Sequence, residues 1–209
     1  MMSAQEALAR LREGNNRFVA DGQEYNPHTS QTRRRELVTG QDPFAIILGC
    51  SDSRVPAEII FNQGLGDLFV IRVAGNIVAA SQVGSIEFAA ERFGTRLVVV
   101  LGHTRCGAVT ATIEELKRPT ESRSPNLRSI VDRIRPAVET LLETELRQTP
   151  DLLLRLAVRA NIRASANHLR HGSPALEQLI QQDNLIIVGA EYSLETGIVH
   201  FFDGLPETS

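Results

Sequence analysis

Apolar residues recur along this chain with two different periods. Near the N-terminus, Ala7, Leu8, Leu11 and Phe18 fall on one side of a 3.6-residue repeat behind the capping box Ser3-Ala4-Gln5-Glu6. That pattern predicts a helix to about residue 20, ended by Asp21-Gly22. Five short apolar runs have no such period: 44–48, 68–73, 96–101, 185–188 and 198–202 read as buried strands. Helical spacing fills the intervals. It predicts a short helix at 33–38 closed by Gly40, one or two turns after Pro56, and helices at 81–93, 108–117, 127–146, 151–169 and 174–182. Strands that alternate with helices imply right-handed crossovers and an α/β fold with a mostly parallel central sheet flanked by helices. About four strands should be parallel. The turn Leu194-Glu195-Thr196-Gly197 looks like a hairpin and makes the last strand an antiparallel edge. The first helix precedes every strand and has no evident place in these layers, so it is expected to pack on a partner subunit.

Composition narrows the class. A chain of 209 residues suits a single domain over 1–209, with 1–40 as an N-terminal helical arm. Ser122-Arg123-Ser124-Pro125 is the one plausible flexible link, and it is too short for a domain boundary. A net charge of −3 and a pI near 6.0 leave no broad cationic face for nucleic acid. The basic run Arg33-Arg34-Arg35 reads as a solvated helix face. Glu6 and Glu13 near the start, and no apolar stretch long enough for a bilayer, predict a cytoplasmic protein that does not meet a membrane. His168 and His171 read as cationic groups suited to a helix C-terminus, not as a metal pair.

Both cysteines of the chain follow predicted strands. Gly49-Cys50-Ser51-Asp52-Ser53-Arg54 succeeds the first, and Gly102-His103-Thr104-Arg105-Cys106-Gly107 succeeds the third. If those strands are parallel neighbours, both loops leave the carboxyl edge of the sheet, where open α/β folds bind ligands. Cys50, His103 and Cys106 then offer two thiolates and an imidazole to one zinc ion with a fourth position left open. A disulfide, or two small buried hydrophobes, would explain the cysteines alone and leave Asp52 and Arg54 without a reason to cluster. Two thiolates cancel the charge of the ion, so its water needs help. Asp52 can accept a hydrogen bond from zinc-bound hydroxide, and Arg54 can clamp Asp52 in a bidentate pair. Ala74-Gly75-Asn76 is small enough for its backbone to approach the same edge. Such a site, with apolar walls, suits a small linear electrophile such as carbon dioxide.

Cys50-x-Asp52-x-Arg54, His103-x-x-Cys106 and Phe69-Val70-x-Arg72-x-Ala74-Gly75-Asn76 resemble the beta-class carbonic anhydrases over most of the chain. The resemblance implies reversible hydration of carbon dioxide to bicarbonate and a proton, with one zinc per subunit on Cys50, His103 and Cys106 and a catalytic dyad of Asp52 and Arg54. It also implies a homodimer, commonly paired into a homotetramer. Gln41 is similar to a family glutamine that reaches substrate across the dimer interface. Phe69 and Phe88 fall where the apolar pocket wall lies, and Gly107 adjoins the last ligand. A second, inhibitory bicarbonate place in some members uses a tryptophan, an arginine and a tyrosine. Arg72 and Tyr192 match two of these, but Ile47 stands for the tryptophan, so that place should be weak or absent here. Alternatives on the same residues are a hydrolase of carbonyl sulfide or carbon disulfide, a non-catalytic zinc or bicarbonate-sensing module, and a cysteine redox protein.

Overall fold

The computed structural model describes residues 2–20, 30–118 and 124–206. Its five strands are β1 (Ala45–Gly49), β2 (Leu68–Arg72), β3 (Leu97–His103), β4 (Ile186–Tyr192) and β5 (Val199–Asp203), in the order β2-β1-β3-β4-β5. The first four are parallel, and β5 runs antiparallel to β4. The expected architecture is therefore present, antiparallel edge included. Every residue of β1 and β3 is buried, because helices cover both faces of the sheet centre.

The helices are α1 (Ala4–Val19), α2 (Gln31–Glu36), α3 (Ala57–Ile60), α4 (Ala80–Arg92), α5 (Gly107–Lys117), α6 (Pro125–Leu142), α7 (Pro150–His171) and α8 (Pro174–Gln182). Ile46, Leu48, Val98 and Val100 share a core with α4 to α8, whereas Ala45, Ile47, Leu97, Val99 and Leu101 share one with α1 and α3. The two sets alternate along each strand, as the two-residue period of a strand requires.

Three expectations need correction. The first helix does have a place in the chain's own layers: Ala4, Ala7, Leu8 and Leu11 are buried within the chain itself. The sheet face away from α4–α8 needs a cover, and α1 supplies part of it together with α3. Asn15 fastens the helix by donating to the Ile60 and Gly197 carbonyls, 3.2 and 2.9 Å, and accepting from the Val199 amide at 2.8 Å. Arg33 is also more than a solvated cation, since it donates to the Leu65 carbonyl and pairs with Asp67. Finally, β4 continues past residue 188 to Tyr192, because Arg159 pairs with the buried Glu191 at 2.8 Å and lets a carboxylate enter a buried strand. The helix-ending residues Asp21-Gly22 and the first two residues of the expected link at 122–125 lie outside the described residues. His168 and His171 do stand in the last turn of α7, closed when the Gly172 amide donates to the His168 carbonyl.

Gly14 lies in the third turn of α1, where alanine would ordinarily gain about 0.5–1 kcal/mol of helix stability. Here a Cβ would collide with the Phe61 carbonyl, which is backbone and cannot step aside. Gly14→Ala is expected to destabilise the fold by about 2 kcal/mol or more. Urea denaturation of the two proteins measures this, and a variant as stable as the parent would show that α1 does not sit as described.

Candidate metal centre and active site

The register of the sheet builds the site. Gly49 at the end of β1 aligns with Leu101 of β3, so the chain leaves both strands at one edge within two residues. Cys50 is the first residue past β1, and His103 is the last of β3. After the two-residue turn Thr104-Arg105, in which Arg105 takes a φ of 56°, Cys106 caps the N-terminus of α5. A 3-10 turn, Ala74–Asn76, follows β2 at the same edge. Its Gly75 amide donates to Cys50 Sγ at 3.3 Å. Arg72 adds a second tie, donating to the carbonyls of Cys50 at 3.0 Å and Asp52 at 2.6 Å.

The ligand atoms of Cys50, His103 and Cys106 lie within 4.8 Å of one another, and all three residues are buried. Both cysteines are free thiols. Tetrahedral bonding to a zinc-sized ion with sulfur and nitrogen donors needs separations of about 3.4–3.8 Å, so small side-chain rotations suffice. His103 is oriented for the task. Its Nδ1 lies 2.9 Å from the Thr104 carbonyl and serves as the donor, which leaves Nε2 as the lone-pair nitrogen. Nε2 is buried with no hydrogen-bond partner. An unpartnered imidazole nitrogen facing two thiols is what a metal-binding triad presents and what ordinary packing avoids.

Electrostatics agree with that reading. The Cys106 thiol beside it brings Cys50 down to about 4; burial opposes the shift, while His103 and the amides of Asp52 and Gly75 add to it. The same contact, together with burial, pushes Cys106 up, so one proton is held between the pair. Burial disfavours a charged His103 ring, yet Cys50, the Thr104 carbonyl and Asp52 raise its pKa on balance. Two buried sulfurs that do not ionise together, beside one imidazole, are groups that a divalent cation would bind as their protons leave.

Asp52 stands at the rim. Arg54 donates to it through Nε at 2.9 Å, Nη2 at 2.8 Å and its own backbone amide at 3.0 Å. These bonds, the side-chain ones foremost, hold the carboxyl well below the usual carboxylate range. Oδ2 lies 3.8 Å from His103 Nε2, so the carboxylate faces the cluster while remaining on Arg54 and outside the ligand triad.

The residues proposed for a substrate pocket divide. Gly107 opens α5 directly after Cys106. Gln41 precedes the N-terminal end of β1, whereas Cys50 follows its C-terminal end, and five strand residues put about 16 Å between the two ends. Phe69 and Phe88 form a ring cluster with Phe93, centroids 5.7–6.2 Å apart, and Phe88 is 53% exposed. Phe93 also borders the cleft of about 460 Å³ that Gln41 lines with Val38 and Gly66. Gln41 and this aromatic patch are therefore neighbours, and one chain does not bring Gln41 to the cluster. Several supports went unseen in the sequence. Thr104 donates to Glu195 at 3.0 Å and Arg105 pairs with the same carboxylate at 2.9 Å, which clamps the turn between two ligands. No pattern in the chain announces Glu195. Asn161 and Ser165 of α7 bond to Gly75 and Asn76, and only their polarity on an apolar stripe could have flagged them.

Comparison with known proteins agrees with the geometry. The family profile described as carbonic anhydrase matches residues 45–199. Carbonic anhydrase 2 of Mycobacterium tuberculosis is 40% identical over 191 residues, which cover 91% of this chain and 89% of that protein. The carbonic anhydrase of Mycolicibacterium smegmatis is 39% identical over 193 residues, covering 92% and 90%. The solved structure of the beta-carbonic anhydrase CcaA aligns with a TM-score of 0.75 at 25% identity, over 96% of this chain and 92% of that one. A structure of two tetrameric beta-carbonic anhydrases from Sordaria macrospora aligns with a TM-score of 0.73 at 23% identity, over 91% and 93%. The chain belongs to the beta-class carbonic anhydrases and is an enzyme of that family.

Native protein purified without chelator is expected to carry about one equivalent of a thiophilic divalent metal per chain. Cys50→Ser and Cys106→Ser should each lose most of it, as read by plasma mass spectrometry. A metal-poor parent, or variants as rich as the parent, would count against the cluster.

Proposed function

We propose that the chain hydrates carbon dioxide reversibly to bicarbonate and a proton, with zinc on Cys50, His103 and Cys106 and with Asp52 and Arg54 as its catalytic dyad. The observation that carries this reading is the convergence of two buried thiols and a partnerless imidazole nitrogen beside a carboxylate locked by arginine. Zinc, when bound, supplies a Lewis acid that makes water a nucleophile near neutral pH.

The side chains do the rest. Arg54 keeps Asp52 ionised and fixes the plane of its carboxylate through paired hydrogen bonds. An ionised Asp52 can only accept, so it takes a hydrogen bond from the attacking water at Oδ2 and turns a lone pair toward the carbon. It also turns away a nucleophile that has no proton to give. Arg72 restrains the same loop from below by holding the carbonyls of Cys50 and Asp52. Because its guanidinium is already engaged there, and because Ile47 carries no hydrogen-bond donor, a second bicarbonate place at Arg72 and Tyr192 is weak or absent in this reading.

Gln41, Phe69 and Phe88 belong to the substrate pocket of a partner copy in the same reading. Gln41 lies beyond the far end of β1 from the cluster, and Phe88 leaves a large apolar ring exposed. A homodimer would bring one chain's Gln41 to the other's metal, and pairing of dimers would give a tetramer, the state named for the Sordaria macrospora enzymes. No helix of the described residues is long and apolar enough to cross a membrane, and two free thiols suit the reducing cytoplasm that we propose for the protein.

Stopped-flow carbon dioxide hydration on the parent and on Asp52→Asn tests the dyad. Turnover should fall about 10²-fold or more while zinc content stays unchanged. Equal turnover would remove Asp52 from the mechanism. Faster hydrolysis of carbonyl sulfide or carbon disulfide than of carbon dioxide hydration would reassign the substrate.

A further inference from the structure

We propose that Asn161 and Ser165 of α7 are positioning residues for the metal centre, holding the Gly75 amide on the Cys50 sulfur from a helix far away in sequence. The inference rests on the reading of Cys50, His103 and Cys106 as metal ligands, and it adds two side chains that touch neither ligand nor substrate.

The apolar stripe of α7 contains buried Leu153, Ala157, Val158, Ile162, Ala166 and Leu169, and it is interrupted by two buried polar residues, Asn161 and Ser165. They stand four apart, on one side of the helix. Both donate to consecutive carbonyls of the turn after β2: Asn161 Nδ2 to Gly75 at 2.8 Å and Ser165 Oγ to Asn76 at 3.0 Å. Buried polar side chains whose bonds converge on one short turn fix its orientation as well as satisfying themselves.

That turn needs fixing. Gly75 has a φ of 70° and Asn76 a φ of 44°, two successive residues in the left-handed region, which non-glycine residues adopt rarely and asparagine more readily than most. A Cβ on Gly75 would press on Ile134 Cδ1 at 2.7 Å and Ala108 Cβ at 3.1 Å, so the backbone is also seated tightly from the far side. The conformation has a result: the Gly75 amide points at Cys50 Sγ, 3.3 Å away. An amide donated to a thiolate draws charge from it and restricts its rotamer, which is how groups outside the ligand set tune a metal site. Asn161 and Ser165 act on Cys50 only through the backbone of this turn, since the carbonyls they hold lie one and two peptide units beyond the Gly75 amide.

The test uses Asn161→Leu, which removes the amide while keeping the number and branching of side-chain heavy atoms, and Ser165→Ala, a smaller change should the first fail to fold. Zinc affinity is measured by competition with a chromophoric chelator, the thiolate-to-metal absorption is recorded on the cobalt-substituted proteins, and exchange of the Gly75 amide is followed by NMR. Expected are a 10- to 100-fold weaker affinity, a shifted cobalt–thiolate band, and faster exchange at Gly75 while β3 amides keep their protection. Ser165→Thr, which retains the hydroxyl, should stay close to the parent. Parental affinity and cobalt spectrum in both Asn161→Leu and Ser165→Ala would overturn the proposal, whatever the exchange rate. If the parent itself binds no zinc, the assignment of the metal centre falls, and this inference with it; a parent that binds tightly beside variants that bind equally tightly sinks the inference alone.

Discussion

The site depends on the pairing of β1 with β3. A parallel pair at fixed register makes two segments about fifty residues apart in sequence end at one edge, within one strand spacing of each other. The alternation of buried side chains enforces that register. A slip of one residue would turn Ile46 and Leu48 toward α1 and Ala45 and Ile47 toward α4, exchanging two core faces that have different helices on them. It would also carry Cys50 away from His103. Ordinary hydrophobic packing in the middle of the sheet thus specifies the metal geometry at its end.

What packing gathers, hydrogen bonds then aim. Two of the ligands have a support outside the triad: the Thr104 carbonyl for the His103 ring and the Gly75 amide for the Cys50 sulfur. The cost of this arrangement is local. A buried imidazole nitrogen without a partner, placed against two thiols, works against the fold by about 1–3 kcal/mol. Metal binding removes that cost, so affinity for the ion and stability of the edge are coupled. Asp52 differs from the ligands because its partner is covalently near. Arg54, two residues on, bonds both oxygens and needs no help from another element, and the dyad is therefore as rigid as the loop that carries it.

The legible parts of this chain were those set by local pattern. Continuous apolar runs marked the strands, and Cys50, Asp52, Arg54, His103 and Cys106 stood out because their residue types are rare and their spacing is short. The supports supplied by α7 and Glu195 were not legible, for a physical reason: they are bonds between segments 86 or more residues apart, such as Asn161 to Gly75 and Thr104 to Glu195, made by common residue types. The extension of β4 was hidden in the same way, since Glu191 is acceptable in a strand only when Arg159 arrives from α7. An apolar stripe says that a helix is covered and does not say by what. That is why α1 could be read as an arm for another subunit.

Its placement in the chain's own core has a further consequence for how the sheet is sealed. Five helices crowd the face that carries Val98 and Val100, whereas the opposite face, with Ile47, Val99, Val188 and Phe201, is left to α1, the one-turn α3 and the sheet's own rim. A helix so placed must come close, and the sequence allows it by putting Gly14 against the Phe61 carbonyl and Asn15 among three backbone groups of α3, β5 and the turn before β5. Asn15 uses both Nδ2 hydrogens and its Oδ1 on elements far apart in the chain. With Phe18 packed 6.5 Å from Tyr192, the residue in register with His103, the same helix reaches the strand end that holds the imidazole. The N-terminal helix is therefore part of the frame behind the metal centre, whatever else its outer face meets.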